Sequence, residues 1–221
     1  DSWLANLDSV YESYSRLVGG TPFNGSRITI LTTPGVEAGY WALAGNPILW
    51  NNHVGIDKSL LSTRDNGDWN FGVMHEIGHT LSGYCRPAGS RPNSTWNWND
   101  ELFANFRMSY ALEDCGGRMG QRGVFYTGAE NMDYYKIAYD ETIGAGVAKN
   151  NGDALHYTFM RIARKYGWKV YEEAFRLLYA LEEDETAMLK TDYDKFCFFL
   201  SYVSKAAGED VFKTCYSQKE L

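Results

Sequence analysis

Apolar side chains recur at helical spacing over two long parts of the chain. Residues 2–18 carry them three or four positions apart, and the pair Gly19-Gly20 ends the pattern. After residue 131 the same spacing continues with few interruptions. It predicts helices at 154–166, 168–181 and 193–207, and a short helix that ends at Tyr216. The C-terminal half is therefore predicted to be almost entirely helical.

Two stretches nearer the N-terminus have the composition of β-strands. Residues 27–33 are rich in β-branched side chains, and residues 38–50 combine small and aromatic side chains around Asn46-Pro47. Residues 51–66 are mostly polar and are interpreted as a connection, and the glycine-rich residues 116–128 are interpreted as a mobile loop. The fold class is therefore predicted to be α+β, with a small mixed sheet.

A helix predicted over residues 68–84 carries a pattern typical of metal binding. His75, Glu76 and His79 follow one another as His-Glu-x-x-His. Residues i and i+4 share one helix face, so both imidazoles can bind one metal ion while Glu76 takes a proton from its water. Asp68 is the expected N-cap. A separate apolar stripe favours a half-buried helix over surface histidines: Met74, Ile77, Leu81 and Tyr84.

A catalytic zinc site needs a third protein ligand and an open fourth position. The extended motif His-x-x-Gly-x-x-His is excluded, because Ser82 and Cys85 stand where its glycine and third histidine would be. Glu101 is the main candidate, in the first turn of a following helix whose N-cap would be Asn99 or Asp100. Asp100 and Cys85 are the alternative ligands.

The segments HEIGHTL and WNDELFAN resemble the gluzincin metallopeptidases, in which a Trp-x-Asn-Glu-x-Phe-Ala type segment carries a glutamate ligand. The tryptophan-rich run before Glu101 and the helical tail are most similar to the enhancin-like and mucin-cleaving peptidases. The resemblance implies a zincin-like catalytic domain with one Zn²⁺ per chain. Its ligands would be His75, His79 and Glu101, and its general base Glu76. Asn105, one turn beyond Glu101, is a candidate to orient the site, and an ordinary helix-surface position is the alternative for it.

The resemblance locates two further parts of the site only approximately. Gluzincins capture an extended substrate on an edge strand that precedes the catalytic helix. By position that strand corresponds to Ala42, Leu43, Ala44 and Gly45, although an ordinary hairpin explains the segment equally well. Gluzincins also use a Tyr or His from the helical half to stabilise the oxyanion, but the Tyr-Glu-Lys-Gly-Ala form is absent here. The nearest candidates are His156 and Tyr157, with Tyr134, Tyr135 and Tyr139 as others, and a core position is the alternative for His156.

Composition excludes several classes of function. The net charge is −7 with both signs interspersed, so there is no basic surface for nucleic acid. No apolar run approaches the ~20 residues that span a bilayer. The 221 residues are predicted to form one catalytic domain, 1–221. Its parts would be a helix and small sheet at 1–67, the metal-site helices at 68–114, and a helical half at 115–221.

The four cysteines bear on the cellular compartment. Cys85 and Cys115 flank the stretch that carries Glu101, and Cys197 and Cys215 flank the last helical turn-around, so these two local disulfides are a plausible choice among three possible pairings. Together with the resemblance, they favour a secreted protein. Because the chain has no signal-peptide pattern, an excised catalytic domain of a larger chain is also expected as an option. Four reduced, buried thiols in a cytosolic chain are the alternative.

These observations predict a secreted zinc-dependent endopeptidase that acts on protein, peptide or glycoprotein substrates. An aminopeptidase with the same site is one alternative, but residues 38–50 contain no acidic side chain to anchor a free amine. A non-catalytic, zinc-containing binding module is the other. Structural zinc sites are usually closed and rich in cysteine, so this module is the weaker interpretation.

Overall fold

Helices predominate in the computed structural model, which describes residues 2–36, 39–53, 55–83, 85–86, 94–147 and 152–221. Their bounds are α1 Ser2–Val18, α2 Ile56–Asn66, α3 Phe71–Gly83, α4 Asp100–Cys115, α5 Asn131–Glu141, α6 Gly152–Tyr166, α7 Lys169–Tyr179, α8 Asp192–Ala207 and α9 Val211–Cys215. Gly116 and Gly208 end α4 and α8 in the left-handed conformation that favours glycine. None of the described helices is long and apolar enough to cross a membrane.

The strands are short and form small sheets. They are β1 Thr21–Pro22, β2 Ile30–Thr33, β3 Ala42–Leu43, β4 Ile48–Asn51, β5 Cys85–Arg86, β6 Arg118–Gln121 and β7 Val124–Thr127. The largest described sheet has the order β2-β4-β3, with β2 parallel and β3 antiparallel to β4. Strand β1 pairs with β5, and β6 pairs with β7. The α+β class with a small mixed sheet is therefore confirmed at this coarse level.

Two segments differ from the sequence-based expectation. Helix α2 occupies most of residues 51–66, which were expected to be a connection, and it has no buried residue. Its few apolar residues are Ile56, Leu60 and Leu61, and the last two are exposed, so the periodic signal is weak. Residues 116–128 contain the β6–β7 hairpin and not only a loop, with Arg122 and Gly123 in left-handed conformations at its turn.

Helices α3 and α4 cross closely at Gly78. A Cβ atom at this position would lie 2.9 Å from the Ala104 carbonyl oxygen, so only glycine permits this approach. Helix α1 also contacts α3, where the Tyr14 hydroxyl donates to the Met74 carbonyl oxygen at 3.0 Å. The predicted apolar stripe of α3 is buried at Met74, Ile77 and Leu81, and Tyr84 lies outside the described residues. The close crossing places the start of α4 beside the His-Glu-x-x-His face of α3.

An aromatic layer supports α4 from the other side. Trp96 is fully buried, and its ring contacts Phe103 and Tyr179 with centroids 5.4 and 5.3 Å apart. Phe159 and Phe199 extend the layer into α6 and α8. Buried aromatic rings contribute large apolar areas, so this layer fixes α4 against the helical half.

No disulfide is formed by the cysteines whose side chains the structure describes. Cys115, Cys197 and Cys215 are free thiols, and the side chain of Cys85 lies outside the described residues. The Cys115 sulfur atom instead lies 3.5 Å from the Ser9 carbonyl oxygen of α1. Two cysteines on either side of a loop form a disulfide only if their side chains approach each other. Cys115 packs against α1 instead.

Candidate functional site

The structure brings His75, His79 and Glu101 together at one point. The Nε2 atoms of the two histidines are 2.9 Å apart. The Glu101 carboxylate places Oε2 3.0 Å from His75 Nε2 and Oε1 3.4 Å from His79 Nε2. One ligand atom from each residue lies within 4.8 Å of the others, the compact grouping that a single metal ion requires. The sequence-based ligand set therefore forms a cluster in three dimensions.

Helix caps place these side chains. Asn99 caps α4 by accepting a hydrogen bond from the Leu102 backbone N–H at 3.1 Å, which puts Glu101 in the first turn. The start of α3 differs from the expectation for Asp68, because Asn70 makes the cap bond to the Val73 N–H at 3.2 Å. Asp68 accepts instead from the N–H groups of Asn70 and Gly120.

The far side of each histidine ring is held by an oxygen acceptor. His75 Nδ1 lies 2.8 Å from Asn105 Oδ1, and His79 Nδ1 lies 2.6 Å from Asp100 Oδ2. With both Nδ1 atoms donating, the two Nε2 atoms are left to face the same point, where each can carry a proton in the metal-free protein or bind a metal ion. Asp100 also accepts from Asn97 Nδ2 at 2.9 Å, so both of its carboxylate oxygens are engaged and it lies outside the grouping of His75, His79 and Glu101. The contact of Asp100 with His79 was missed, although Asp100 stands directly before Glu101 in the sequence.

The electrostatics of the cluster favour a bound cation. Burial opposes the charged form of His79, but hydrogen bonds to Asp100 and Glu101 and their charges outweigh it and raise its pKa to about 9. Hydrogen bonds from His75 and His79 lower the pKa of Glu101. The cluster thus stabilises a positive charge beside Glu101, which a proton on His79 supplies in the metal-free protein and which a metal ion would supply in its place. The donor set of two His nitrogens and one Glu oxygen fits zinc.

Glu76 lies beside the cluster in a buried position. Its side chain lines the same cleft, and the residue is 8% exposed. Burial raises the pKa of Glu76, the charges of His75 and His79 oppose the rise, and the charge of Glu101 adds to it. A carboxylate with a raised pKa accepts a proton more readily, which suits a general base.

The cleft in front of the cluster has a volume of about 650 Å³. One wall is the segment Gly39 to Ala44, and the other is formed by His75, Glu76, His79, Asp100 and Glu101. Of the four residues expected at the edge strand, Ala42, Leu43 and Ala44 line the cleft. Trp41 fixes this wall to α3, since a Cβ on Gly72 would lie 2.4 Å from its ring.

The two candidate oxyanion donors lie away from the cleft. His156 is fully buried, with Nε2 2.8 Å from Ser109 Oγ and its ring stacked 3.6 Å from that of Tyr135. Tyr157 packs on Tyr139 with ring centroids 4.8 Å apart. Neither lines the cleft, so His156 follows the core alternative. The face of α6 that carries His156 packs against α4 and α5. Burial holds the pKa of His156 well below its ordinary value.

Comparison with known proteins shows the fold alone. No family model and no curated protein matches the chain. Two solved structures do match, one described as a functionally unknown conserved protein from Bacillus anthracis str. Ames and the other as a mutant of such a protein. The TM-scores are 0.67 and 0.69 at 18% sequence identity, over 97% and 99% of this chain. The chain spans 42% of the length of either protein, and at this identity the likeness establishes a shared fold and nothing about activity.

Proposed function

We propose that this protein is a zinc-dependent endopeptidase with the zincin-like fold of the gluzincins. The observation that carries the proposal is the convergence of His75 Nε2, His79 Nε2 and the Glu101 carboxylate beside a buried Glu76. Structural zinc sites are closed by four protein ligands, whereas this cluster faces an open cleft. An open position beside a general base is the arrangement of a hydrolytic site.

Each residue of the site has a defined task in peptide hydrolysis. His75, His79 and Glu101 would hold the ion, whose Lewis acidity polarises the scissile carbonyl and activates a water. Glu76 takes the proton of that water and passes it to the leaving amine. Asn105 and Asp100 keep the two imidazoles in the tautomer that leaves Nε2 free for the ion.

The edge strand β3 offers a binding site for an extended substrate. Strand β3 pairs with β4 on one side, and no described strand pairs with its other side. The Trp41 carbonyl oxygen accepts from the Asn51 N–H at 3.1 Å, so the alternation of an antiparallel ladder directs the backbone groups of Ala42 away from β4. A substrate backbone can add there as a further strand above the metal cluster.

The cleft favours internal peptide bonds over chain ends. Its described acidic residues are Glu76, Asp100 and Glu101, and each already has a role at the metal cluster. No further carboxylate in the described lining can anchor the free amine that an aminopeptidase must recognise. A secreted setting and glycoprotein substrates belong to this proposal on the strength of the sequence resemblance alone, because the described thiols form no disulfide.

A comparison of wild type with Glu76→Gln tests the proposal. We expect about one zinc per chain in both proteins, and cleavage of an end-blocked peptide library by the wild type only. Removing a general base lowers the rate about 10²–10⁴-fold, while the amide keeps the shape of the side chain. Absence of zinc from the wild type would overturn the proposal. Zinc without turnover in the wild type would favour the binding module, and cleavage only of unblocked peptides would favour an aminopeptidase.

A further inference from the structure

A second groove lies between helix α1 and the segment that leads into β2. It has a volume of about 420 Å³. Leu4 and Leu7 of α1 line it on one side, Ile28 and Ile30 on the other, and Ile77 contributes from α3. Ile77 projects roughly 200° around α3 from the two candidate ligand histidines, because successive helix residues are about 100° apart. The groove therefore lies behind the metal-site helix, away from the cleft.

This groove borders a free edge of the three-stranded sheet. Strand β2 is the first in the order β2-β4-β3, and no described strand pairs with its other side. The Thr29 carbonyl oxygen accepts from the Ile48 N–H at 2.8 Å, so Thr29 faces β4. The alternation of the backbone then directs the N–H and C=O groups of Ile28 and Ile30 to the free edge. A row of backbone donors and acceptors without a strand partner thus runs beside an apolar groove.

A further strand on this edge would place side chains in the groove. Ile30 lies opposite Ile48, which is fully buried, so the Ile30 side chain is on the core face of the sheet. Side chains on the same face of a further strand would point toward α1. The lining face of α1 runs from Leu4 to Tyr11, about 10 Å, which matches about three residues of an extended peptide. The groove therefore fits a short extended segment with apolar side chains at alternate positions.

The polar groups of the groove select among possible occupants. A lipid chain would leave the edge backbone groups unpaired and out of water, which is costly, and a helix has no free backbone groups to offer the edge. Asp8 and Arg27 line the groove, are exposed, and form no salt bridge with another described residue. They offer charge partners for one basic and one acidic side chain. A second copy joined through the same edge would bring its own α1 to the place where the first α1 already lies.

We propose that this groove is a second peptide-binding site, which takes an extended segment of another polypeptide by strand addition to β2. The segment is apolar at alternate positions and carries one basic and one acidic residue near its ends. The groove and the cleft have no described lining residue in common, so the site does not depend on the metal cluster. A partner bound here leaves the cleft open.

Two end-blocked, fluorescein-labelled peptides test the proposal, Lys-Val-Thr-Val-Thr-Val-Glu and its reverse, Glu-Val-Thr-Val-Thr-Val-Lys. Fluorescence anisotropy measures their binding to the full chain in the presence of a chelator, so that no metal-dependent cleavage occurs. The groove variants are Leu4→Asn and Arg27→Glu. The controls are Leu60→Asn on α2, which changes a leucine that is 42% exposed where Leu4 is 55% exposed, and Leu43→Asn in the cleft. Thermal unfolding confirms that each variant is folded.

We expect saturable one-to-one binding, with a preference for one peptide because the two place their charges at opposite ends. Leu4→Asn should weaken binding about fivefold by removing apolar contact, and neither control should change it. Arg27→Glu should shift the preference toward the other peptide, because the edge then attracts the basic end. Prolines at two adjacent central positions of the peptide should abolish binding, because one of the two N–H groups faces β2 whichever way the peptide runs.

Three results would overturn the inference. The first is no saturable binding of either peptide up to about 1 mM. The second is binding that Leu43→Asn weakens and Leu4→Asn does not, or a preference that Arg27→Glu leaves unchanged, since the peptides would then bind elsewhere. The third is a wild-type dimer in light scattering that Leu4→Asn converts to a monomer, because a second copy would then occupy the groove. The assay contains no metal, so its outcome is separate from that of the proposed function.

Discussion

Helix α4 carries two polar clusters that are chemically alike but differ in their surroundings. In the first, Asn105 Oδ1 lies 2.8 Å from His75 Nδ1 on α3. In the second, one turn later, Ser109 Oγ lies 2.8 Å from His156 Nε2 on α6. Each cluster thus pairs a neutral side chain of α4 with a histidine of a neighbouring helix. The difference lies in what the second nitrogen of each ring meets.

The second nitrogen of His75 meets the candidate ligand atoms of His79 and Glu101, whereas that of His156 meets no polar partner among the described residues. His75 Nε2 lies 2.9 Å from His79 Nε2 and opens on the cleft. His156 Nδ1 is buried and has no hydrogen-bond partner among the described residues, and the Tyr135 ring covers it. A single hydrogen bond to α4 therefore does not decide the role of a histidine. Access of its other nitrogen to a cleft and to further ligands does.

The largest expected effect is the loss of zinc from Glu101→Ala. We call the group of His75, His79 and Glu101 the open cluster. Glu101→Ala removes its one carboxylate, so zinc affinity should fall by more than the roughly 100-fold typical for a supporting residue. Elemental analysis and chelator competition measure the effect. The matched control is Glu113→Ala, which removes another glutamate of α4, one that pairs with Arg164 away from the cleft. Full zinc retention in Glu101→Ala would place the third ligand elsewhere.

Two single substitutions, one in each cluster, compare the clusters directly. Asn105→Ala should weaken zinc binding about 10–100-fold because His75 loses the acceptor that orients it. Ser109→Ala should leave zinc affinity unchanged and lower the free energy of unfolding by about 1–3 kcal/mol, because it leaves a buried nitrogen unpaired. Zinc titration and chemical denaturation of both variants give the comparison. Equal effects on zinc affinity would mean that the clusters are coupled and not separate.

The open cluster was predictable because local rules create it. The i, i+4 spacing puts His75 and His79 on one helix face, and the cap at Asn99 sets Glu101 in the first turn of α4. The hydrogen bond between Asp100 and His79 was not predictable in this way. It depends on the close crossing of α3 and α4, a contact between residues far apart in sequence.

The fold shows the same division between local and non-local information. The amphipathic helices of the C-terminal half were found near their predicted ends, because apolar periodicity marks them. Helix α2 has no buried residue and was missed, since burial is what creates the pattern. His156 stayed ambiguous because only the packing of α5 shows that the Tyr135 ring covers it.

The second cluster of α4, in which Ser109 and the Tyr135 ring enclose His156, is sealed from the cleft and should make the fold sensitive to acid. Burial holds the pKa of His156 far below its unfolded value of about 6.5, so the unfolded chain binds the extra proton. Stability should therefore fall as the pH drops below about 6.5, by up to about 2 kcal/mol at pH 5.

The control for this effect is His156→Gln, which cannot titrate. The difference in unfolding free energy between the metal-free wild type and this variant, measured by denaturation from pH 7.5 to 5, isolates the contribution of His156. All other titrating groups are present in both proteins, so their contributions cancel. A constant difference across this range would show that His156 can be protonated in the folded protein and that its cluster is not sealed.

The smallest expected effect concerns access to the open cluster along β3. If a substrate adds to the free edge beside Ala42, its backbone N–H groups alternate between bonding to β3 and facing away. Methylating the substrate amide nitrogens one at a time should raise KM about fivefold at every second position, near 1 kcal/mol per lost bond, and have little effect between them. Steady-state kinetics on such a peptide series, with the unmethylated peptide as reference, measures the alternation. A uniform response along the peptide would mean that side chains, and not the strand edge, bring the substrate to His75, His79 and Glu101.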